Sequence, residues 1–204
     1  MPPTRDDPRL HEDMVQSLQR ELDGLKVEGL YRSLRQVDGP QGPRIHIDGR
    51  EVIHFAGNDY LGLACHPRLK KAACQATLQY GCGAAAARLI SGNHDLYPQL
   101  EERLARFKQA EAALLFSTGY QANLGVISAL MDSQDVIFSD ALNHASIVDG
   151  CRLSRAKVMI FPHNDLAALE DLLREETSAG RRLIVVDGLY SMDGDVASLG
   201  EIVE

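Results

Sequence analysis

The chain has 204 residues, 45% of them hydrophobic and 25% charged, a composition that suits a globular protein with a sizeable core and excludes a disordered or fibrous one. Its 29 acidic residues against 21 basic ones give a formal net charge of −8, which excludes bulk electrostatic attraction to nucleic acid or anionic lipid. A local basic pocket for a phosphate stays open.

The opening Met1-Pro2-Pro3-Thr4-Arg5-Asp6-Asp7 is polar and acidic, unlike a signal or transit peptide. No run of the sequence approaches the roughly 20 apolar residues that cross a bilayer. Cys65, Cys74, Cys82 and Cys151 form no Cys-x-x-Cys pair and have no histidines interleaved at zinc spacing. The expectation is a cytoplasmic protein with reduced thiols, without a metal, and bound to neither membrane nor nucleic acid.

Over residues 11–31 the apolar side chains Met14, Val15, Leu18, Leu22, Leu25 and Leu30 recur mainly three or four apart among charges, which predicts an amphipathic arm helix ending near Gly29. Asp38-Gly39-Pro40-Gln41-Gly42-Pro43 breaks the chain, and residues 44–55 alternate in polarity around Asp48-Gly49, the pattern of a β-hairpin. Residues 1–56 are therefore read as arm and hairpin, and residues 57–204 as the start of a larger domain.

From about His66 short apolar runs at residues 112–116, 136–138, 158–161 and 183–186 alternate with helical patterns at 98–107, 120–131, 144–153 and 165–177. Asn164 is available to cap the last of these. Such alternation predicts an α/β fold, a mostly parallel sheet with helices on both faces, whose ligands sit at the carboxyl ends of the strands.

Residues 112–123 read as a buried strand that turns through Ser117, Thr118 and Gly119 into a helix. The unpaired N–H groups of a first helical turn favour a phosphate, and hydroxyls add donors; a plain strand-to-helix turn with a Ser/Thr cap reads the same residues equally simply. The segment Gly81-Cys82-Gly83-Ala84-Ala85-Ala86-Ala87-Arg88 lacks the third glycine and preceding strand of a dinucleotide loop, so its small residues are read as permitting close approach of backbone or ligand. Arg88 is expected to reach an acidic partner.

His144 follows the run ending Phe138-Ser139-Asp140, where an imidazole can stack on a heteroaromatic ligand or simply cap the next helix. His163 suits the plainer reading. His94-Asp95 lacks a third ligand at metal spacing. Asp187 and Ser191 lie where the run at 183–186 opens into a glycine-punctuated loop, a place for functional groups or for an ordinary Asp-Gly turn.

Taken together, Leu30-Tyr31-Arg32-Ser33-Leu34-Arg35, Asn58-Asp59-Tyr60-Leu61-Gly62-Leu63, Ser91-Gly92-Asn93, Gly119-Tyr120-Gln121-Ala122-Asn123, Asn143-His144-Ala145-Ser146 and Tyr190-Ser191-Met192-Asp193-Gly194-Asp195 resemble the motifs of the α-oxoamine synthases, in order and at similar spacing. The resemblance implies the large domain of a fold-type I, aspartate aminotransferase-like, pyridoxal 5′-phosphate-dependent transferase. It implies the decarboxylative condensation of an amino acid with an acyl thioester, in a homodimer. By position, Gly119 and Tyr120 would lie against the cofactor's phosphate and ring edge and His144 would stack on its ring. Asp187 would stand near the cofactor, Ser191 near its phenolic oxygen, Asn58 at the amino acid, and Arg32 at a substrate carboxylate.

The resemblance implies L-alanine with a pimeloyl thioester as the substrates, with glycine and a shorter acyl group as the alternative. The family's Asp-x-x-His and its cofactor-binding lysine do not occur before Glu204, and Lys26, Lys70, Lys71, Lys108 and Lys157 read as helix-face or linker residues. The expectation is an N-terminal half, its C-terminal remainder absent, inactive by itself and poorly soluble. A non-catalytic chain paired with a larger homologue is the reading from a different class.

Overall fold

A computed structural model describes residues 8–203, and the chain divides between Gly83 and Ala84 into two compact units. The polar opening at residues 1–7 lies outside the described residues.

In the first unit, α1 (Pro8–Val27) runs until Gly29 turns left-handed at φ 69°, and the N–H groups of Leu30 and Tyr31 return to the carbonyl of Leu25. The apolar stripe Met14, Val15, Leu18, Leu22 and Leu25 is left exposed. The hairpin forms from β2 (Arg44–Ile47) and β3 (Arg50–Ile53), antiparallel with Ile45 opposite Val52. Asp48 and Gly49 both take positive φ, 51° and 74°, as a turn matched to strand twist requires.

A two-residue strand, β1 (Val37–Asp38), adds to the hairpin edge, too short for any periodicity to announce it. Next comes α2 (Pro67–Tyr80), which the sequence reading did not delimit. His66 caps it, Pro67 occupies its first turn, and Gly81 at φ 83° ends it. None of its residues is fully buried, so it carries no clear apolar face for a periodicity argument to find.

The second unit is a parallel sheet in the order β5-β4-β6, from β4 (Val136–Asp140), β5 (Lys157–Phe161) and β6 (Arg182–Val185). Successive β4 side chains point to opposite faces. Ile137 joins Leu183 and Val185 under α4 (Gly119–Leu130) and α5 (Ala145–Ser154), in a cluster with Ile127, Met131, Ile147 and Cys151. Val136 and Phe138 join Ile184 and Phe161 on the other face, under Leu166, Leu169 and Leu172 of α6 (Leu166–Glu175) and Ile202 of α7 (Leu199–Val203). Full burial of such side chains contributes about 1.5–3 kcal/mol each.

The chain moves outward from β4 to β5 through α5, then back past β4 to β6 through α6. Right-handed crossovers in opposite directions put those two helices on opposite faces. The helix that follows β4 and the one that follows β6 lie on opposite faces, so the chain parts at the carboxyl ends of these neighbouring strands, where α/β sheets hold ligands. The expected parallel sheet with helices on both faces is present.

The apolar run at 112–116 is no strand. It is an extended segment, only half-buried at Ala113, Leu115 and Phe116, and Leu114 is exposed. Side chains replace a ladder: Leu115 donates its N–H to Glu101 of α3 (Leu96–Lys108) at 2.8 Å and accepts at its carbonyl from Arg88 at 3.1 Å. Arg88 also pairs with Glu101 at 2.8 Å, so the acidic partner exists and serves to hold this segment.

Just after the small-residue segment lies a π-helical turn, Arg88–Gly92. There a Cβ on Gly92 would fall 1.9 Å from the carbonyl oxygen of Ala86, so the close approach is one of backbone on backbone.

Asn164 does not cap α6. It sits at φ 54°, outside the extended geometry of an N-cap, and Asp165 takes the role by accepting the N–H of Ala168 at 2.9 Å. Lys157 is likewise not a helix-face residue: it opens β5 and pairs with the buried Glu176 at 2.6 Å.

Candidate functional site

The site is built at the crevice between β4 and β6. The loop after β4 carries Asn143, which is buried and acts as a clasp. Its Nδ2 donates to the carbonyl of Val185 at 2.7 Å and to Ser139 Oγ at 3.0 Å, while its Oδ1 accepts the N–H of Asp187 at 2.9 Å. In return, Asp187 Oδ2 accepts the N–H of His144 at 2.7 Å. Two reciprocal bonds thus lock the end of β6 to the start of α5.

His144 is the N-cap of α5: its Nδ1 accepts the N–H of Ser146 at 3.2 Å and lies 2.7 Å from Ser146 Oγ. Asn123 of α4 donates to that same Ser146 Oγ at 2.9 Å, leaving the hydroxyl proton for the imidazole. Two contacts to Ser146, from its backbone and from its hydroxyl, hold the Nδ1 edge of the ring. The capping role is therefore present, and it fixes the ring for any ligand that comes over it.

The helices meet at close quarters. A Cβ on Gly150 of α5 would come 3.1 Å from the backbone oxygen of Asn123 and 3.0 Å from Ile127 Cδ1, so glycine there lets α5 lie against α4. At the head of α4, Thr118 Oγ1 accepts the N–H of Gln121 at 3.1 Å. The amides of Gly119 and Tyr120 keep no partner among the described residues, as the first turn of a helix leaves them, and they point their N–H groups out along the positive end of α4.

Tyr120 stands edge-on to His144, ring centroids 6.4 Å apart at 77°. Its hydroxyl donates to Asp149, and that bond, with burial, raises the phenol above its usual range. The side chain is 42% exposed, open for contact. Asp149 is a contributor that motif reading did not single out.

The four positions Gly119, Tyr120, His144 and Asp187 thus occur in one constellation. Ser191 lies in an exposed turn after β6, closed by Gly194 N–H to Tyr190 carbonyl at 2.8 Å and by the bridge between Leu189 and Val196. Arg32 and Asn58 belong to the first unit, both exposed. Asn58 lines a cleft of about 430 Å³ with His54, Gly57, Asp59 and Tyr60, whose wall is held by Asp59 Oδ1 accepting the N–H groups of Leu63 and Ala64.

The arrangement tests well against a phosphorylated heteroaromatic ring. It offers unpartnered amides at a helix head for the phosphate, a fixed imidazole face for the ring, and a carboxylate that holds the residue carrying that imidazole. Among the described residues no group of three His, Cys, Asp or Glu is placed to hold a metal, and no helix is long and apolar enough to cross a membrane.

The sequence model of the family described as aminotransferase class I and II matches residues 50–204. The chain is 58% identical over 190 residues to an 8-amino-7-oxononanoate synthase of Geobacter sulfurreducens, covering 93% of this chain and 49% of that one. Among solved structures, it resembles a serine palmitoyltransferase from S. paucimobilis with bound PLP-myriocin, at a TM-score of 0.83 and 31% identity over 94% of this chain and 48% of that one. It also resembles the 8-amino-7-oxononanoate synthase of Francisella tularensis, at a TM-score of 0.63 and 32% identity over 73% of this chain and 41% of that one. The chain spans about half the length of the curated relatives it matches.

Proposed function

The chain belongs to the aminotransferase class I and II family, and on that premise we propose that it is the N-terminal part of a pyridoxal 5′-phosphate-dependent acyltransferase. The reaction proposed is the condensation of L-alanine with pimeloyl-CoA, or its carrier-protein thioester, with loss of carbon dioxide, giving 8-amino-7-oxononanoate for biotin synthesis. The observation that carries the reading is the junction of the α4 and α5 heads, where Tyr120 and His144 face each other beside unpartnered amides.

Residues 57–204 then form the N-terminal part of the cofactor-binding domain, with residues 1–56 as arm and hairpin. The amides of Gly119 and Tyr120 hold the phosphate, and His144 presents its ring face to the pyridine. Its position comes from Ser146 on one side and Asp187 on the other. When bound, pyridoxal phosphate supplies the electron sink that stabilises negative charge at the amino acid's Cα. Ser191 orients the phenolic oxygen, Asn58 the amino acid, and Arg32 a carboxylate, for which its planar fork is suited. The protein's share is orientation and charge stabilisation.

A homodimer is the assembly proposed. The cytoplasm is the compartment proposed, consistent with four free thiols. The test is carbon dioxide release from carboxyl-labelled amino acid by the product of the whole gene. Release from L-alanine with pimeloyl-CoA supports the reading. Release only from glycine with acetyl-CoA or succinyl-CoA would make it a glycine C-acetyltransferase or a 5-aminolevulinate synthase instead.

A further inference from the structure

Behind the site lies a partly buried polar cluster that the proposed chemistry does not use. His163, in the loop after β5, places Nδ1 3.0 Å from Asp140 Oδ1 and Nε2 2.7 Å from Asp195 Oδ2. Asp140 is the last residue of β4 and its side chain is fully buried. Asp195 closes the turn that carries Ser191, since its carbonyl accepts the N–H of Tyr190 at 2.9 Å. Tyr190, 2% exposed, sets its ring edge-to-face with His163 at 4.4 Å.

The imidazole thus joins the carboxyl end of the central strand to both ends of the Ser191 turn. From the geometry we infer that His163 is a positioning residue, the peg that hangs the Ser191 turn from β4, and that it does so as an imidazolium. This rests on the proposed function only in giving Ser191 a task.

Carboxylates accept and do not donate, so a ring with one on each side must donate from both nitrogens. A neutral ring would set a lone pair against one carboxylate. The other groups facing it among the described residues are the buried Tyr190 hydroxyl, which has no partner, and Asn164, whose Nδ2 lies 3.3 Å from His163 Nε2 but makes its shorter bond, at 2.9 Å, to Asp195 Oδ2. Asp140 is further held by the N–H groups of Leu142 and Asn164, at 2.8 and 3.0 Å. It stays fixed while the turn is the side able to move.

The charges agree. Bonds to Asp140 and then Asp195 raise His163 above its usual range, against an opposing effect of burial. Burial acts to raise Asp140, but the amides of Asn164 and Leu142 and the ring of His163 outweigh it and hold the carboxyl low. A raised histidine stabilises the docked turn fully below its unfolded value near 6.5, and that contribution is lost as pH rises through the folded value.

The experiment is amide hydrogen exchange on the 204-residue chain without cofactor, with protection corrected for intrinsic exchange at each pH. Protection at Tyr190 and Gly194 is expected to fall about ten- to a hundredfold between pH 6 and the alkaline side of the His163 titration, while α5 stays protected, as loss of charge-assisted hydrogen bonds implies. His163→Gln should give the low value at every pH. A turn whose protection follows α5 at all pH values would overturn the inference. If His163→Gln unfolds the whole chain, Asp195→Asn decides: selective loss at the turn supports the peg, and full protection overturns it. Because no cofactor takes part, the result stands apart from whether pyridoxal phosphate binds.

Discussion

The carboxylate of Asp187 accepts the backbone N–H of His144 at 2.7 Å, while its own N–H is donated to Asn143 at 2.9 Å. One residue at the end of β6 therefore fixes both the loop after β4 and the first residue of the next helix. Asn143→Ala removes the clasp and leaves the Asp187 N–H and the Val185 carbonyl without it. At a buried position this should cost about 3 kcal/mol, since each unsatisfied group costs ~1–3 kcal/mol. The urea midpoint reads the loss, and an unchanged midpoint would deny the clasp.

His144 has a capping role and a proposed ring-stacking role, which substitution can separate. His144→Ala should lower stability by about 1 kcal/mol through the lost cap, and His144→Asn, itself a good cap, should recover most of it. Both should bind pyridoxamine 5′-phosphate more weakly than the parent chain. Asn restoring the affinity as well as the stability would remove stacking from the account.

Acid should weaken the second unit in a definite place. Lys157, followed by the N–H of Ser178, holds the Glu176 carboxyl down at about 2. Its folded value lies below its unfolded one, so the contribution is complete above about pH 4.5 and is lost as pH falls towards 2. Glu176→Gln should flatten the stability profile over that window. A parallel profile, merely displaced, would locate the acid sensitivity elsewhere.

Glu101→Gln should loosen residues 112–116 without unfolding the sheet. The change removes the carboxylate that pairs with Arg88 and receives the Leu115 N–H, while β4, β5 and β6 keep their ladder. Limited proteolysis is expected to cut near Leu114 sooner than in the parent chain. Equal cutting rates would mean that other contacts hold the segment.

Much of this architecture was legible in the residues. The apolar runs at β4, β5 and β6 and the helical patterns between them announced a parallel sheet covered on both faces, because burial on two sides demands such runs. The same rule misread residues 112–116, for an apolar run does not say whether a neighbouring strand is there to pair with. Asn164 and Asp165 are equally good caps by type, and only the left-handed backbone of Asn164 decides between them.

Within the site, motif positions named Gly119, Tyr120, His144 and Asp187. The bonds joining them were not legible, because Asp187 and His144 are 43 residues apart and meet only through the strand order. His163 read as an ordinary loop residue for the same reason. Its two carboxylates come from β4 and from a turn 32 residues downstream.

The most direct test of the proposed site is calorimetric titration of the 204-residue chain with pyridoxamine 5′-phosphate, which lacks the aldehyde that would react with surface lysines, and with pyridoxamine as control. Saturable one-site binding is expected, dependent on the phosphate and weakened about tenfold by His144→Asn through loss of ring stacking. Equal binding of both compounds, or binding that His144→Asn leaves untouched, would contradict a cofactor site at the heads of α4 and α5.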